Sequence, residues 1–168
     1  MTVAEVDRLT HAAATDALTS CCGSRRWVEG MIARRPFGSV GRIKAEAEQV
    51  WWSLTREDWL EAFSHHPRIG ERQSTQNARG QAWSAREQSG LAGAANSTRD
   101  ELARVNQAYD TRFGYRYVVC ASGRSAEELL ALARKRLENQ PEDELRVAAA
   151  EQLAITLLRL DRLLTTGA

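Results

Sequence analysis

Apolar residues recur every three or four positions along most of the chain, which is the spacing of one helical face. Val6, Leu9, Ala13 and Leu18 predict an early helical region. Ser24 is placed to cap a helix carrying Trp27, Val28, Met31 and Ile32. That helix should stop near Arg35-Pro36, because the residue before proline avoids the helical well. Ser39 or Gly41 opens a longer stretch through Trp51 and Trp52, and Thr55 starts a short helix with Trp59, Leu60 and Phe63. Thr98-x-x-Glu101 and Ser125-x-x-Glu128 read as capping boxes, each ahead of a further helix. The last helix runs from about Glu142 to Leu164, with Leu145, Ala149, Leu153, Leu157, Leu160 and Leu164 on its apolar face.

Two segments break this rhythm. Tyr115 to Cys120 is aromatic and β-branched and is bracketed by Gly114 and Gly123, so it prefers an extended path. It has no second run of its kind to pair with, and a lone extended segment among helices is expected. Pro67 to Gln81 is polar, with Ile69 as its only large aliphatic residue, and reads as a loop of a length that is often functional. The whole reads as an all-α fold, one helical domain over residues 1–168 with one short extended segment near 115–120.

Composition narrows the function classes. The chain has 168 residues, enough for one domain that buries its own core without a disulfide or metal staple. Lys plus Arg is 23 and Asp plus Glu is 22, a balance that argues against a nucleic-acid binder, which carries a basic excess. No stretch is long and apolar enough for a membrane span. The polar first ten residues do not read as a signal peptide, and Thr165 to Ala168 is no peroxisomal or retention signal. Three cysteines, Cys21, Cys22 and Cys120, make no disulfide framework, and a reduced, cytoplasmic protein is expected.

Three strings can carry chemistry. In His65-His66-Pro67-Arg68-Ile69-Gly70, Pro67 takes His66 out of the helix that precedes it and sets it at the mouth of the polar loop. Imidazole titrates near physiological pH and can exchange a proton there. A histidine that merely caps a helix C-terminus fits the spacing too. Metal is disfavoured, because adjacent histidines do not face one site and no Cys or His spacing suits zinc. In Trp83 to Gly90, the residues Ser84, Glu87 and Gln88 share one helical face and offer a hydroxyl, a carboxylate and an amide to a small polar ligand. Ser84-x-x-Glu87 fits a capping box equally well. Arg159 lies among Leu157, Leu158 and Leu160, where a guanidinium could clamp a carboxylate or a planar ureido carbonyl. It could also snorkel to solvent, or pair with Glu151 or Asp161.

Taken in order, these strings form a larger pattern. Arg35-Pro36-Phe37 is followed by His66-Pro67-Arg68-Ile69-Gly70 and Ser84-x-x-Glu87-Gln88. Tyr109-x-x-Arg112-Phe113-Gly114-Tyr115-x-Tyr117-Val118-Val119, Gly123-Arg124-Ser125 and Arg159-Leu160 complete it. The pattern closely resembles the OHCU decarboxylase family (2-oxo-4-hydroxy-4-carboxy-5-ureidoimidazoline decarboxylase) of urate degradation, over roughly Val6 to Leu164. The resemblance implies an all-α homodimer without metal or organic cofactor that converts OHCU to (S)-allantoin and carbon dioxide. Carried over by motif, His66 and Glu87 would be catalytic, Ser84, Gln88 and Arg159 would hold substrate, and Pro67 and the backbone around Val119 would line the pocket. The chain departs from the common pattern at His65, where a small residue is more usual, and at Tyr117, where the family often has Phe.

Decarboxylation needs a place for the electron pair, and many enzymes borrow a cofactor for it. The OHCU ring has its own C=N bond beside the carbon that bears the carboxylate, so it can supply that place itself. Three other classes fit parts of the pattern: a non-catalytic ligand-binding module, a hydrolase acting on a related ureide, and a helical DNA-binding domain. Product analysis separates the first two from a decarboxylase, and salt-dependent duplex binding would mark the third.

Overall fold

The computed structural model describes residues 1–68, 78–89 and 94–165. The described residues form helices and connecting segments with no strand. In chain order the helices are α1 (Val3–Arg8), α2 (His11–Cys21), α3 (Arg25–Ala33), α4 (Val40–Trp52) and α5 (Arg56–Ser64). They continue with α6 (Ala78–Glu87), α7 (Asn96–Phe113), α8 (Ala126–Arg136) and α9 (Pro141–Thr165). No described helix is long and apolar enough to cross a membrane. The all-α expectation holds.

Local side-chain chemistry starts most of these helices. The Ser24, Ser39 and Ser125 hydroxyls accept from the backbone N–H groups of Trp27, Arg42 and Glu128, each three residues on. At Ser125 the Glu128 carboxylate returns the bond to the Ser125 N–H, which completes the expected capping box. The early helical region is two helices rather than one. A capping box at Thr2 and Glu5 starts α1, Leu9 turns extended at its end, and the Thr10 hydroxyl opens α2 by accepting from the Ala13 N–H. Thr98 is not a cap: α7 begins at Asn96 after Ala95, which makes no side-chain capping bond. The expected loop from Pro67 to Gln81 is also shortened. Ala78 to Gln81 already belong to α6, and residues 69–77 lie outside the described residues.

The chain divides into two compact units. The first holds residues 1–62 and everything from Leu153 onward, and the second holds Phe63–Gln152. In the first unit Trp27, Trp51, Leu18, Met31 and Ile43 are fully buried. The indole N–H of Trp27 donates to the Ala47 carbonyl at 3.0 Å, so this large ring is buried with its polar atom satisfied. Gly30 allows α3 and α4 to approach closely, since a Cβ there would sit 2.8 Å from Val50 Cγ1. The Asp7 carboxylate accepts the N–H groups of Phe37 and Gly38 at 2.8 and 3.0 Å and so ties the turn after α3 to α1.

The second unit is built on α7 and α8, whose core joins Leu102, Val105, Tyr109 and Phe113 to Ala126, Leu129 and Ala133. Gly114 ends α7 in the left-handed region, at φ 78°, where a side chain would be strained. The chain then runs through Tyr115–Ala121 without regular structure and buries Tyr117, Val118 and Val119. This is the segment near 115–120 that the sequence marks as extended, and it forms no strand. Side chains rather than a neighbouring strand hold its backbone. Arg136 Nη1 donates to the Val118 carbonyl at 2.7 Å, and the Cys120 N–H donates to Glu151 Oε2 at 2.7 Å. These bonds satisfy polar groups that would otherwise cost free energy on burial.

Candidate active site

His66 sits two residues beyond α5. Its N–H donates to the Phe63 carbonyl at 3.1 Å and closes the last turn, after which Pro67 offers no donor to continue the helix. Arg116 Nη1 then takes the His66 carbonyl at 2.5 Å and the Ser64 carbonyl at 3.0 Å, so a cation of the 115–120 segment caps the exposed end of α5. Pro67 is buried, and Arg68 closes onto Asp110 of α7, with Nη2 2.8 Å and Nε 3.2 Å from Oδ2. The backbone around His66 is therefore pinned by two separate arginine contacts.

The imidazole itself is buried. Its Nε2 lies 2.6 Å from Oε1 of Gln152, which is also wholly buried on α9. A histidine acting only as a helix C-cap would keep its ring at the last carbonyls and in water. This ring is committed to a side chain of another helix.

Ser84 and Glu87 are buried on α6, whereas Ala85 and Arg86 between them are exposed. The capping-box alternative fails here, because α6 begins at Ala78 and ends at Glu87, which puts Ser84 inside the helix near its C-terminal end. Gln88 follows directly, half-buried, and its N–H donates to the Ser84 carbonyl at 3.1 Å. A carboxylate at a helix C-terminus gains nothing from the helix dipole, and burial there adds a desolvation cost. Such placement is unusual for a purely structural residue. The charge of Glu87 reaches the 115–120 segment. The Cys120 thiol is raised above its ordinary range, first by burial and then by the carboxylates of Glu151 and Glu87.

Six of the residues singled out from the sequence, His66, Pro67, Ser84, Glu87, Gln88 and Val119, thus lie in the second unit. The 115–120 segment bears on three of them: Arg116 holds the His66 carbonyl, Val119 lies buried in the segment, and the Glu87 charge raises the Cys120 thiol. Arg159 belongs to the first unit. It is 2% exposed, so it does not snorkel, and Nη1 donates to the Ser20 carbonyl at 3.4 Å. The carboxylates considered for it are engaged elsewhere, Asp161 with Lys44 at 2.6 Å and Glu151 with the Cys120 N–H. Arg159 also pulls down the Cys22 thiol, which burial pushes up to about 11.

The sequence reading missed Gln152 and Arg116, and it considered Glu151 only as a partner for Arg159. Gln152 stands beside Leu153, on the apolar side of α9, and a buried amide in such a stripe was the available signal. Arg116 carried none, because a basic residue between two tyrosines is as consistent with solvent as with a carbonyl. Among the described residues no group of three or more His, Cys, Asp or Glu is arranged to hold a metal ion.

The chain is similar to known proteins over most of its length. The family model for OHCU decarboxylase matches residues 7–161. The chain is 39% identical over 151 residues to the uric acid degradation bifunctional protein TTL of Arabidopsis thaliana, covering 88% of this chain and 46% of that protein. It therefore spans about half the length of that relative. It is 27% identical to the 2-oxo-4-hydroxy-4-carboxy-5-ureidoimidazoline decarboxylase of Haloferax volcanii, over 95% of this chain and 94% of that one. Among solved structures, an OHCU decarboxylase crystallised in the presence of (S)-allantoin superposes with a TM-score of 0.78 at 36% identity, over 89% of this chain and 98% of that one.

Proposed function

The chain belongs to the OHCU decarboxylase family, and from that premise we propose that it converts OHCU to (S)-allantoin with release of carbon dioxide. The observation that carries the reading is the buried imidazole of His66, locked on both its ring and its backbone, in a family whose motif it matches. A general acid–base group must be held within reach of one proton, and a ring fixed this way is already oriented.

The bond from the ring carbon to the carboxylate breaks, and its electron pair moves toward the adjacent ring C=N, whose nitrogen is protonated. Carbon dioxide leaves. His66 takes the proton of the ring hydroxyl, which becomes the carbonyl of the product. Protonation of the neighbouring carbon on one face then sets the S configuration. Glu87 orients the hydroxyl or the imidazole and favours the protonated ring when it forms. Ser84, Gln88 and Arg159 hold the ureido and ring polar groups, and Pro67 with the backbone at Val119 lines the pocket. Ser84 and Glu87 lie buried on one face of α6, which supports a shared role for them. The substrate accepts the electron pair itself, and the reading includes no metal or organic cofactor.

The same reading takes residues 1–168 as one decarboxylase domain, supported by a family match that runs over both compact units. It takes the enzyme as a homodimer of the cytoplasm that binds neither nucleic acid nor membrane. Trp52, 44% exposed and edge-on to Trp59 at 5.8 Å, supports a protein contact in that region. An odd cysteine count with two adjacent suits a reducing compartment. The test is to generate OHCU in place from urate with a urate oxidase and a hydroxyisourate hydrolase, add the protein, and follow circular dichroism. A fast rise of the (S)-allantoin signal over the slow racemic background is expected. A folded protein that gives no acceleration would sink the reading.

A further inference from the structure

A neutral imidazole carries one N–H donor and one lone-pair acceptor, and its partner decides which nitrogen is which. At His66 that partner is a side-chain carbonyl oxygen, Oε1 of Gln152, 2.6 Å from Nε2. A carbonyl oxygen can only accept, so Nε2 must carry the hydrogen. We propose that Gln152 is a positioning residue for His66: its carbonyl selects the Nε2–H tautomer and assigns proton acceptance in the reaction to Nδ1.

The surroundings make this selection firm. Gln152 is wholly buried on α9, so water does not compete for its amide. Its neighbour Glu151 takes the Cys120 N–H at 2.7 Å, which fixes this turn of α9 against the 115–120 segment. That segment in turn supplies Arg116, which holds the His66 carbonyl. Both anchors of the histidine, one on the ring and one on the backbone, thus belong to the same packed group. The ring cannot exchange its nitrogens by rotating without losing the Gln152 bond. The choice of nitrogen for the reaction rests on the decarboxylase reading, whereas the tautomer does not.

The test is long-range proton–nitrogen NMR of the imidazole rings. The chain has three histidines, and a His66→Asn variant identifies the His66 signals by their loss. At a pH where the ring is neutral, wild type should show a protonated Nε2 and a pyridine-type Nδ1. Gln152→Leu should mix the two tautomers and lower kcat about 10- to 100-fold, the usual effect of losing a group that orients a reacting histidine. KM should change less than about threefold, because the lost bond is made to the enzyme and not to substrate. Gln152→Glu keeps an acceptor at the same position, so it should restore the Nε2–H pattern and part of kcat. It also serves if the leucine variant fails to fold. A wild-type ring protonated at Nδ1 would overturn the proposal, as would a folded Gln152→Leu protein with unchanged spectrum and kcat. A wild-type Nε2–H ring in a protein that does not decarboxylate OHCU would support tautomer selection and overturn the functional reading instead.

Discussion

Arg136 and Glu144 form a buried ion pair: Nη2 lies 2.5 Å from Oε1, with side chains 3% and 0% exposed. The carboxylate also accepts from the Tyr109 hydroxyl and, on its other oxygen, from Asn139 Nδ2 at 2.7 Å. The guanidinium lies over the Tyr117 ring at 4.6 Å, and its Nη1 holds the Val118 carbonyl. One buried pair therefore organises the segment that carries Val119.

Breaking such a pair from one side leaves a buried charge, which typically costs about 3–5 kcal/mol. Arg136→Met should destabilise the protein by roughly that amount, and Glu144→Gln by less, since an amide can keep some of the donors. Urea unfolding at pH 7 measures both. A loss under about 1 kcal/mol for Arg136→Met would show that the pair is not buried in solution.

His66→Ala removes the proposed proton acceptor while leaving Arg116 its main-chain partners at Ser64 and residue 66. Turnover should fall about 10²- to 10⁴-fold, the range for a general acid–base group, with a smaller change in KM. Steady-state circular dichroism of allantoin formation reads this directly. Wild-type kcat with the S configuration intact would remove His66 from the chemistry.

Glu87 and Glu128 offer a controlled comparison, because each stands three residues after a serine. Glu128 completes a real capping box, so Ser125→Ala should cost about 1 kcal/mol and leave turnover within about twofold. Glu87 ends its helix and caps nothing at Ser84. Glu87→Gln should keep stability within about 1 kcal/mol and lose at least about 100-fold in kcat. If Glu87→Gln instead lowers the melting temperature with activity unchanged, the residue is structural.

That comparison also marks how far the sequence could be read. Ser-x-x-Glu or Thr-x-x-Glu occurs at 2–5, 84–87, 98–101 and 125–128; Thr2 and Ser125 are caps, whereas Ser84 and Thr98 are not. The motif is local, but where a helix begins depends on the residues before it. Ala78 to Trp83 extend α6 upstream of Ser84, and Asn96 starts α7 ahead of Thr98. Ser24 and Ser39 were legible because each is followed directly by its helix. The burial of Ser84 and Glu87 followed from their shared face, since helical spacing is a local property. The partner of His66 was not legible. Gln152 is 86 positions away, and no periodicity specifies which buried amide meets which ring. Arg159 was legible as a cation within an apolar stripe, but neither its burial nor the Ser20 carbonyl 139 positions away was.

Alkaline pH should destabilise the fold through groups that are buried neutral. Cys22 is pushed up to about 11 from its ordinary 9.0, first by burial, although the Ser24 backbone, the Thr156 hydroxyl and the Arg159 charge all pull the other way. An acid whose folded pKa is raised holds its proton longer in the native state. The unfolded chain therefore releases that proton first as pH rises. The stabilisation is complete below about pH 9 and is lost between about 9 and 11, a loss on the order of 2–3 kcal/mol. Tyr117, pushed up to about 12 from 10.0 mainly by burial, adds a loss of the same sign at slightly higher pH. Unfolding free energy measured in urea should fall steadily above pH 9, and Cys22→Ala should remove part of that slope between pH 9 and 11 without altering the part owed to Tyr117. The same burial predicts that Cys22 alkylates slowly in the native protein at pH 8 while the partly exposed Cys120 reacts faster. A Cys22→Ala protein with the wild-type pH slope, or a Cys22 thiol that reacts as fast as Cys120, would show that the first unit opens around Cys22 under native conditions.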